Sequence, residues 1–401
     1  MKRQILFLFF LIITLSALQG KEAPDLLRQK ALNGDLDAML LLGDEFFKGE
    51  KRPRNLSLAA FWYRKVAQSD LPLGRYRYAV CLEFGWGTAK APRLAFEEYK
   101  KAGTLGAAQL RAAEMLLKGV PAGNGLDEVI PDRDKAVAIM RGLCRANYTP
   151  ALMKLARTLY EFPKTRSAHK EEIYRLVLQS AALPSPAPGV LTFQAKLLQE
   201  GVGVKPDPVY ARALLEIAAR KNDPEAQYMF AELLEFGKNT AVDQEKAFHY
   251  YSQSAKQNFP AALVRMGDYH LEGKFLEHSP QKGYQYFQQA AQKRYPAALC
   301  KLGWCHENGI GTAKDLRRAF SFYEQSADLG DPMGNYHAGR CFLEGIGVAA
   351  DPAGAFFFFR RSAALDCKEG MLALAECLRT GRGCTPDEAL SRELKEKASK
   401  L

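Results

Sequence analysis

Four stretches of this chain, set one beneath another, carry the same pattern at an unvarying interval. They read DPEAQYMFAELLEFG from Asp223, FPAALVRMGDYHLEG from Phe259, YPAALCKLGWCHENG from Tyr295 and DPMGNYHAGRCFLEG from Asp331, each starting 36 residues after the last. A fixed period of this length constrains the fold severely. One unit cannot bury its own apolar face, so successive units must stack and share a continuous core. The 401 residues would suffice for two or three ordinary domains, but they are read instead as one array of repeats.

Counting Asp223 and its equivalents as position 1, small residues recur at positions 4 and 9, as in Ala298 and Gly303. A glycine stands at position 15 (Gly237, Gly273, Gly309, Gly345), where a left-handed cap ends a helix at no steric cost. Position 25 is small again. Positions 28 and 29 hold a large pair (Trp62-Tyr63, Tyr250-Tyr251, Tyr286-Phe287, Phe322-Tyr323, Phe358-Phe359), and position 33 is mostly alanine. The spacing 25, 28, 29, 33 is that of one helical stripe. Each unit therefore reads as two antiparallel helices, whose small residues allow close crossing while the large pair fills the space between units. Between the helices stands G-x-G, as in Gly201-Val202-Gly203, Gly309-Ile310-Gly311 and Gly345-Ile346-Gly347. No strand precedes it, so it is a loop device and not a phosphate cradle.

These residues resemble the Sel-one-like repeat family, a branch of the tetratricopeptide-like solenoids. In one unit the resemblance rests on Ala298, Gly303, Gly309-Ile310-Gly311, Ala319, Phe322-Tyr323 and Ala327, and it extends over nearly all of residues 21–401. The fold it implies is all-α: a right-handed superhelical solenoid of about ten helix-turn-helix repeats of 36 residues. The units are 35–70, 71–106, 107–147, 148–186, 187–222, 223–258, 259–294, 295–330, 331–366 and a truncated 367–401. The third carries an insertion, PAGNGLDEVIP over 121–131, and the fourth lacks the loop glycines, reading YEFPKTRSAHK.

The resemblance also implies a binding surface. First helices would line a concave groove with positions 3, 6, 10, 13 and 14 facing into it. That selects Tyr228, Glu232, Glu235, Asp268, Trp304, Glu307, Tyr336 and Arg340, with Asp44, Phe47, Tyr76, Glu83 and Phe84 in earlier units. Exposed rings beside carboxylates suit a protein or peptide partner, the ring anchoring and the charge selecting. Packing of these rings between units, with merely solvated carboxylates, is the plainer alternative.

Other constellations are weaker. Some secreted members of the family bridge the two helices of each unit by a disulfide, but no unit here has the matched pair. Cys81, Cys305, Cys341 and Cys377 share position 11. Equivalent positions of stacked helices lie roughly 9–10 Å apart, beyond the Cα limit of about 7 Å for a bridge. They read as small core residues, with Cys367 and Cys384, near loops, as the exceptions to watch. His337 and Cys341, four apart beside Cys305, lack the further ligands a metal needs. His270 and His306 read as framework. Ser-x-x-Lys occurs twice, at Ser167–Lys170 and Ser279–Lys282, without the Ser-Asp-Asn or Lys-Thr-Gly partners of a serine β-lactamase. No cofactor and no catalytic residue is expected.

Lys2 and Arg3, the apolar run 5–15 and a small-residue exit read as a secretory signal peptide over residues 1–20. That places the chain outside the cytosol, in a periplasm or the extracellular space, with no integral membrane segment after cleavage. Residues 71–222 hold 23 Lys+Arg against 14 Asp+Glu, whereas 223–401 hold 22 against 23. The basic half suits an anionic envelope component or simply solvated faces. Nucleic acid is not expected. The function these features imply is an exported protein-interaction scaffold. A β-lactamase-like or other envelope hydrolase, or a peptidoglycan- or polysaccharide-binding module, are the alternatives.

Overall fold

A computed structural model describes residues 25–186 and 189–401. The expected signal segment, 1–20, lies outside the described residues. Every named element is an α-helix, as the period requires. The chain forms two compact units, one running to Ala182 and the other from Leu183. Within each, a helix packs on its sequence neighbours and, in places, on the helix two further along, which is the neighbour-only pattern of a solenoid.

The ends of each helix are written locally. Most first helices begin on a side-chain cap or on proline at the first turn: Asp223 accepts from the Ala226 amide and Pro224 follows it. Most end on position-15 glycines with left-handed backbone: Gly49, Gly85, Gly201, Gly237, Gly273, Gly309, Gly345 and Gly381. Second helices are mostly capped by Asp, as at Asp207, Asp243, Asp315 and Asp387.

Packing then follows from size matching between positions 9 and 29. A Cβ added at Gly303 would stand 2.7 Å from the Tyr323 ring, at Gly267 2.4 Å from Phe287, and at Gly339 2.7 Å from Phe359. The rings at position 29 are fully buried because the glycine makes room for them. The second loop glycine has a different task. At Gly347 a Cβ would fall 2.0 Å from the Leu316 carbonyl oxygen, and at Gly383 1.9 Å from that of Pro352. Each loop thus lies directly on the start of the preceding unit's second helix. A further stitch comes from position 32: the hydroxyls of Ser254, Ser326 and Ser362 donate to the carbonyls of Pro224, Pro296 and Pro332 at 2.6, 2.8 and 2.8 Å. These serines are buried and satisfied.

The two irregular units depart as their sequences foretell. Between Gly106–Lys118 and Arg133–Arg145 the insertion folds on itself through isolated bridges, Val120 to Val129 and Gly123 to Leu126. Arg93 Nε holds its tip by the Asp127 carbonyl at 2.5 Å. The third unit's first helix starts at Gly106, one residue before the expected boundary. In the fourth, a short helix, Pro163–Ala168, stands where other units have G-x-G, and Lys170–Ala181 follows.

Candidate functional site

The first helices carry three rows of side chains that matter: positions 7, 10 and 13. Most of the carboxylates expected in the groove are engaged within the protein. Glu235 Oε2 accepts from the Tyr251 hydroxyl at 2.9 Å, and its other oxygen pairs with Arg265 of the next unit. Glu307 accepts from Tyr323 at 2.7 Å and pairs with Arg340. Glu83 takes Tyr99 at 2.8 Å and Arg111, and Asp44 takes Tyr63 at 2.5 Å and Arg77 at 3.3 Å. Asp268, whose unit has Phe287 at position 29, pairs instead with Lys301 at 2.8 Å. A tyrosine from the second helix and a cation from the next unit thus meet on one carboxylate, a strut repeated along the array. Its chemistry shows in the titration of Glu307. Burial works against ionisation, but hydrogen bonds from Arg340 and Tyr323 outweigh it and hold the carboxyl below the usual range.

The aromatic residues divide. Tyr228 is half-buried, its ring against Tyr251 and Phe259 at 5.5 and 5.6 Å, and its hydroxyl donates to Glu232 at 2.9 Å. Tyr336 likewise lies half-buried beside His337 and Phe359. Trp304 differs. It occupies position 10 between Asp268 and Arg340 of the flanking units and remains 37% exposed. In the first compact unit Phe84, 48% exposed, stacks on Trp86 at 4.8 Å, with Phe47 at 5.3 Å from the same indole. Tyr76 packs on the buried Tyr99.

Glu232 stands apart from the other carboxylates. Apart from the Tyr228 hydroxyl, no hydrogen bond or ion pair reaches it among the described residues. Burial holds its carboxyl above the usual carboxylate range. It lines a cavity of about 350 Å³ together with Gln199, Met229, Leu233, Phe236 and Lys238. The sequence marks Glu232 as a groove residue but gives no sign of the cavity, which needs the register of two units to be seen.

The remaining candidates resolve into framework. All eight cysteines are free, and those at position 11 are buried in the core. Burial pushes the thiols of Cys305 and Cys341 up to about 12 and that of Cys81 to about 11. Cys367 is buried and Cys384 half-buried. Burial, with Arg340 nearby, lowers His337 to about 4, so it is neutral at pH 7 and stacks on Tyr323 at 4.7 Å. His270 and His306 are buried and stack on Tyr286 and Phe322, both at 5.5 Å. Among the described residues no three His, Cys, Asp or Glu side chains gather as a metal site would need. Ser279 Oγ caps a helix, accepting from the Lys282 amide, so that Ser-x-x-Lys is a helix start. Among the described residues no helix is long and apolar enough to cross a membrane.

An array of paired helices stitched unit to unit, with its polar rows turned inward as struts, is an α-solenoid of the kind typically used as a protein-interaction scaffold. The model of the Sel1 repeat matches it nine times, over 36–71, 72–106, 107–141, 195–223, 224–259, 260–295, 296–331, 332–367 and 368–401. The chain belongs to the Sel1 repeat family. Its gap in matching, 142–194, falls on the end of the third unit, the irregular fourth and the start of the fifth. Among solved structures it is similar to a protective antigen with an SLR fold from uropathogenic Escherichia coli (19% identity, 93% of this chain and 82% of that one, TM-score 0.49). It is also similar to a Sel1 repeat protein from Oxalobacter formigenes (24% identity, 66% and 99%, TM-score 0.48). A third similar structure is an immunity protein from Pseudomonas aeruginosa (15% identity, 57% and 80%, TM-score 0.38). A search of the curated proteins gave no match.

Proposed function

We propose that this protein is an exported, non-catalytic scaffold that holds a protein or peptide partner on the face formed by its first helices. The observation that carries this reading is Trp304. Its neighbours in the position-10 row, Asp268 and Arg340, are occupied by internal ion pairs, yet an indole is left 37% exposed on a rigid face. Tryptophan on such a surface is the residue type that most often anchors an interface. The basic n-region and apolar run at 2–15 support export to a periplasm or the extracellular space.

The test is crosslinked affinity capture from the native envelope fraction, comparing the natural chain with Trp304→Ala. The struts, Glu307 and Arg340 included, stay intact in this comparison because breaking them would alter the fold. A partner retained by the first and lost by the second is the expected result. Equal capture by both would overturn the role of Trp304. It would favour the second reading, an anionic glycan stacked on the exposed Phe84–Trp86 pair in the basic half.

A further inference from the structure

The struts are not continuous, and the place where one fails is informative. At most junctions of the described array a cation of the next unit, usually at position 7 (Arg77, Arg265, Lys301) and in the irregular third unit at Arg111, meets a carboxylate at position 10 or 13. Between the units starting at 187 and 223, where position 10 is Lys196, no such carboxylate–cation pairing joins the two units among the described residues. Gln199 stands at position 13, Leu215 at position 29 and Met229 at position 7. The junction from 331 to 367 also lacks a strut, but there Leu343, Ala373 and Phe359 close the space as apolar packing. Between 187 and 223 the space stays open, and it is the cavity lined by Gln199, Met229, Leu233 and Phe236.

Into this cavity's lining the next carboxylate of the row, Glu232, brings a group that makes no ion pair among the described residues; Lys238 and Arg265 act on it only from a distance. Lys238 is on the rim, but its ammonium lies over the Phe236 ring, 5.8 Å from the centroid, and not within ion-pair distance of Glu232. Phe236 itself is 61% exposed. The site therefore presents a half-buried carboxylate, an apolar wall and an accessible aromatic ring. Elsewhere in this chain that combination already has an occupant: Arg265 pairs with Glu235 while lying 5.6 and 5.4 Å from the centroids of Tyr251 and Tyr269. A guanidinium fits such a setting because it pairs in its plane and stacks on its face.

We propose that the cavity at the 187–223 junction binds an arginine side chain of the partner polypeptide, which supplies from outside the cation that the missing strut lacks. This rests on the scaffold reading and adds the chemistry of one subsite to it. An arginine rather than an anion or a plain apolar side chain is selected by the Glu232 carboxylate, which has the Tyr228 hydroxyl but no ion-pair partner among the described residues and which an apolar occupant would desolvate further.

The experiment uses the full chain with its nine methionine methyl groups labelled, so that Met229 reports from the cavity wall. The probe is the blocked pentapeptide Ala-Leu-Arg-Leu-Ala, against the same peptide with neutral, isosteric citrulline in place of arginine. A saturable shift of the Met229 methyl resonance is expected with the arginine peptide, at least ~10-fold weaker binding with citrulline, and a similar loss in Glu232→Gln. Glutamine keeps an acceptor for Tyr228, so the variant retains the local packing, which an unchanged methyl spectrum outside the cavity verifies. Equal shifts from both peptides, or none at millimolar peptide, would overturn the proposal. In the envelope capture, a partner lost by Trp304→Ala yet held by Glu232→Gln would keep the scaffold and remove this subsite. A partner held by both variants would count against the scaffold face itself.

Discussion

At the scale of the residue, the fold depends on a few positions where size is dictated by a neighbour in space. Gly303 is one. Its missing Cβ leaves room for Tyr323, and Gly303→Ala would put that carbon 2.7 Å from the ring with the Ala319 carbonyl oxygen 3.1 Å away on another side. Overpacking of this kind costs about 1–3 kcal/mol. A urea midpoint unchanged by Gly303→Ala would show that the ring yields freely, against this account. Such a position is readable in the sequence as small, since eight other units carry Gly or Ala there, but the reason for the size lies on the other helix. Glu232 is the converse case. Its letter looks like any other surface carboxylate; its isolation appears only when Met229 and Gln199 are found beside it.

At the scale of the element, stability between units rests on the tyrosine–carboxylate–cation struts. Tyr323→Phe removes the 2.7 Å hydrogen bond to Glu307 while keeping the ring, and costs about 1 kcal/mol at pH 7. The sign of its pH dependence follows from the direction of the Glu307 shift. The carboxyl is held below its unfolded value, so its stabilisation is complete above the unfolded pKa of about 4.3 and is lost as pH falls through the lower folded value. The difference between wild type and Tyr323→Phe should therefore narrow in acid, when Glu307 is protonated. Unfolding midpoints of the two proteins at pH 7 and at the lowest pH where both still fold provide the check. A difference that stays constant would remove the ionised carboxylate from the explanation. The struts also account for what the sequence reading left open. The sequence places Glu235, Asp268, Glu307 and Arg340 in a groove because acidic and basic residues at first-helix positions look exposed; the pairing partners are 16 to 33 residues away and belong to another helix or another unit.

At the scale of the whole molecule, a solenoid has no closure to spread stability evenly, so its weakest stretch sets its local opening. Residues 119–132 form a loop held by two isolated bridges, and 161–169 replace the usual glycine loop by a single short helix. Backbone amides over 120–170 should exchange with solvent faster than those over 230–360. Equal protection of the two stretches would refute a stability gradient along the array. The period of 36, the caps and the alternation of small and large residues were enough to determine the all-α repeat fold. They act locally, through backbone conformations that only glycine, proline or a capping Asp favours, and they recur often enough to be unmistakable. What the tertiary structure alone decided is which polar residues are already satisfied. A carboxylate's partners are chosen by the stacking of units, and a strut or an open cavity differs by one or two side chains supplied from the next repeat. That is why Glu307 and Glu232, alike as letters on first helices, end as a strut and as a carboxylate with no ion pair among the described residues.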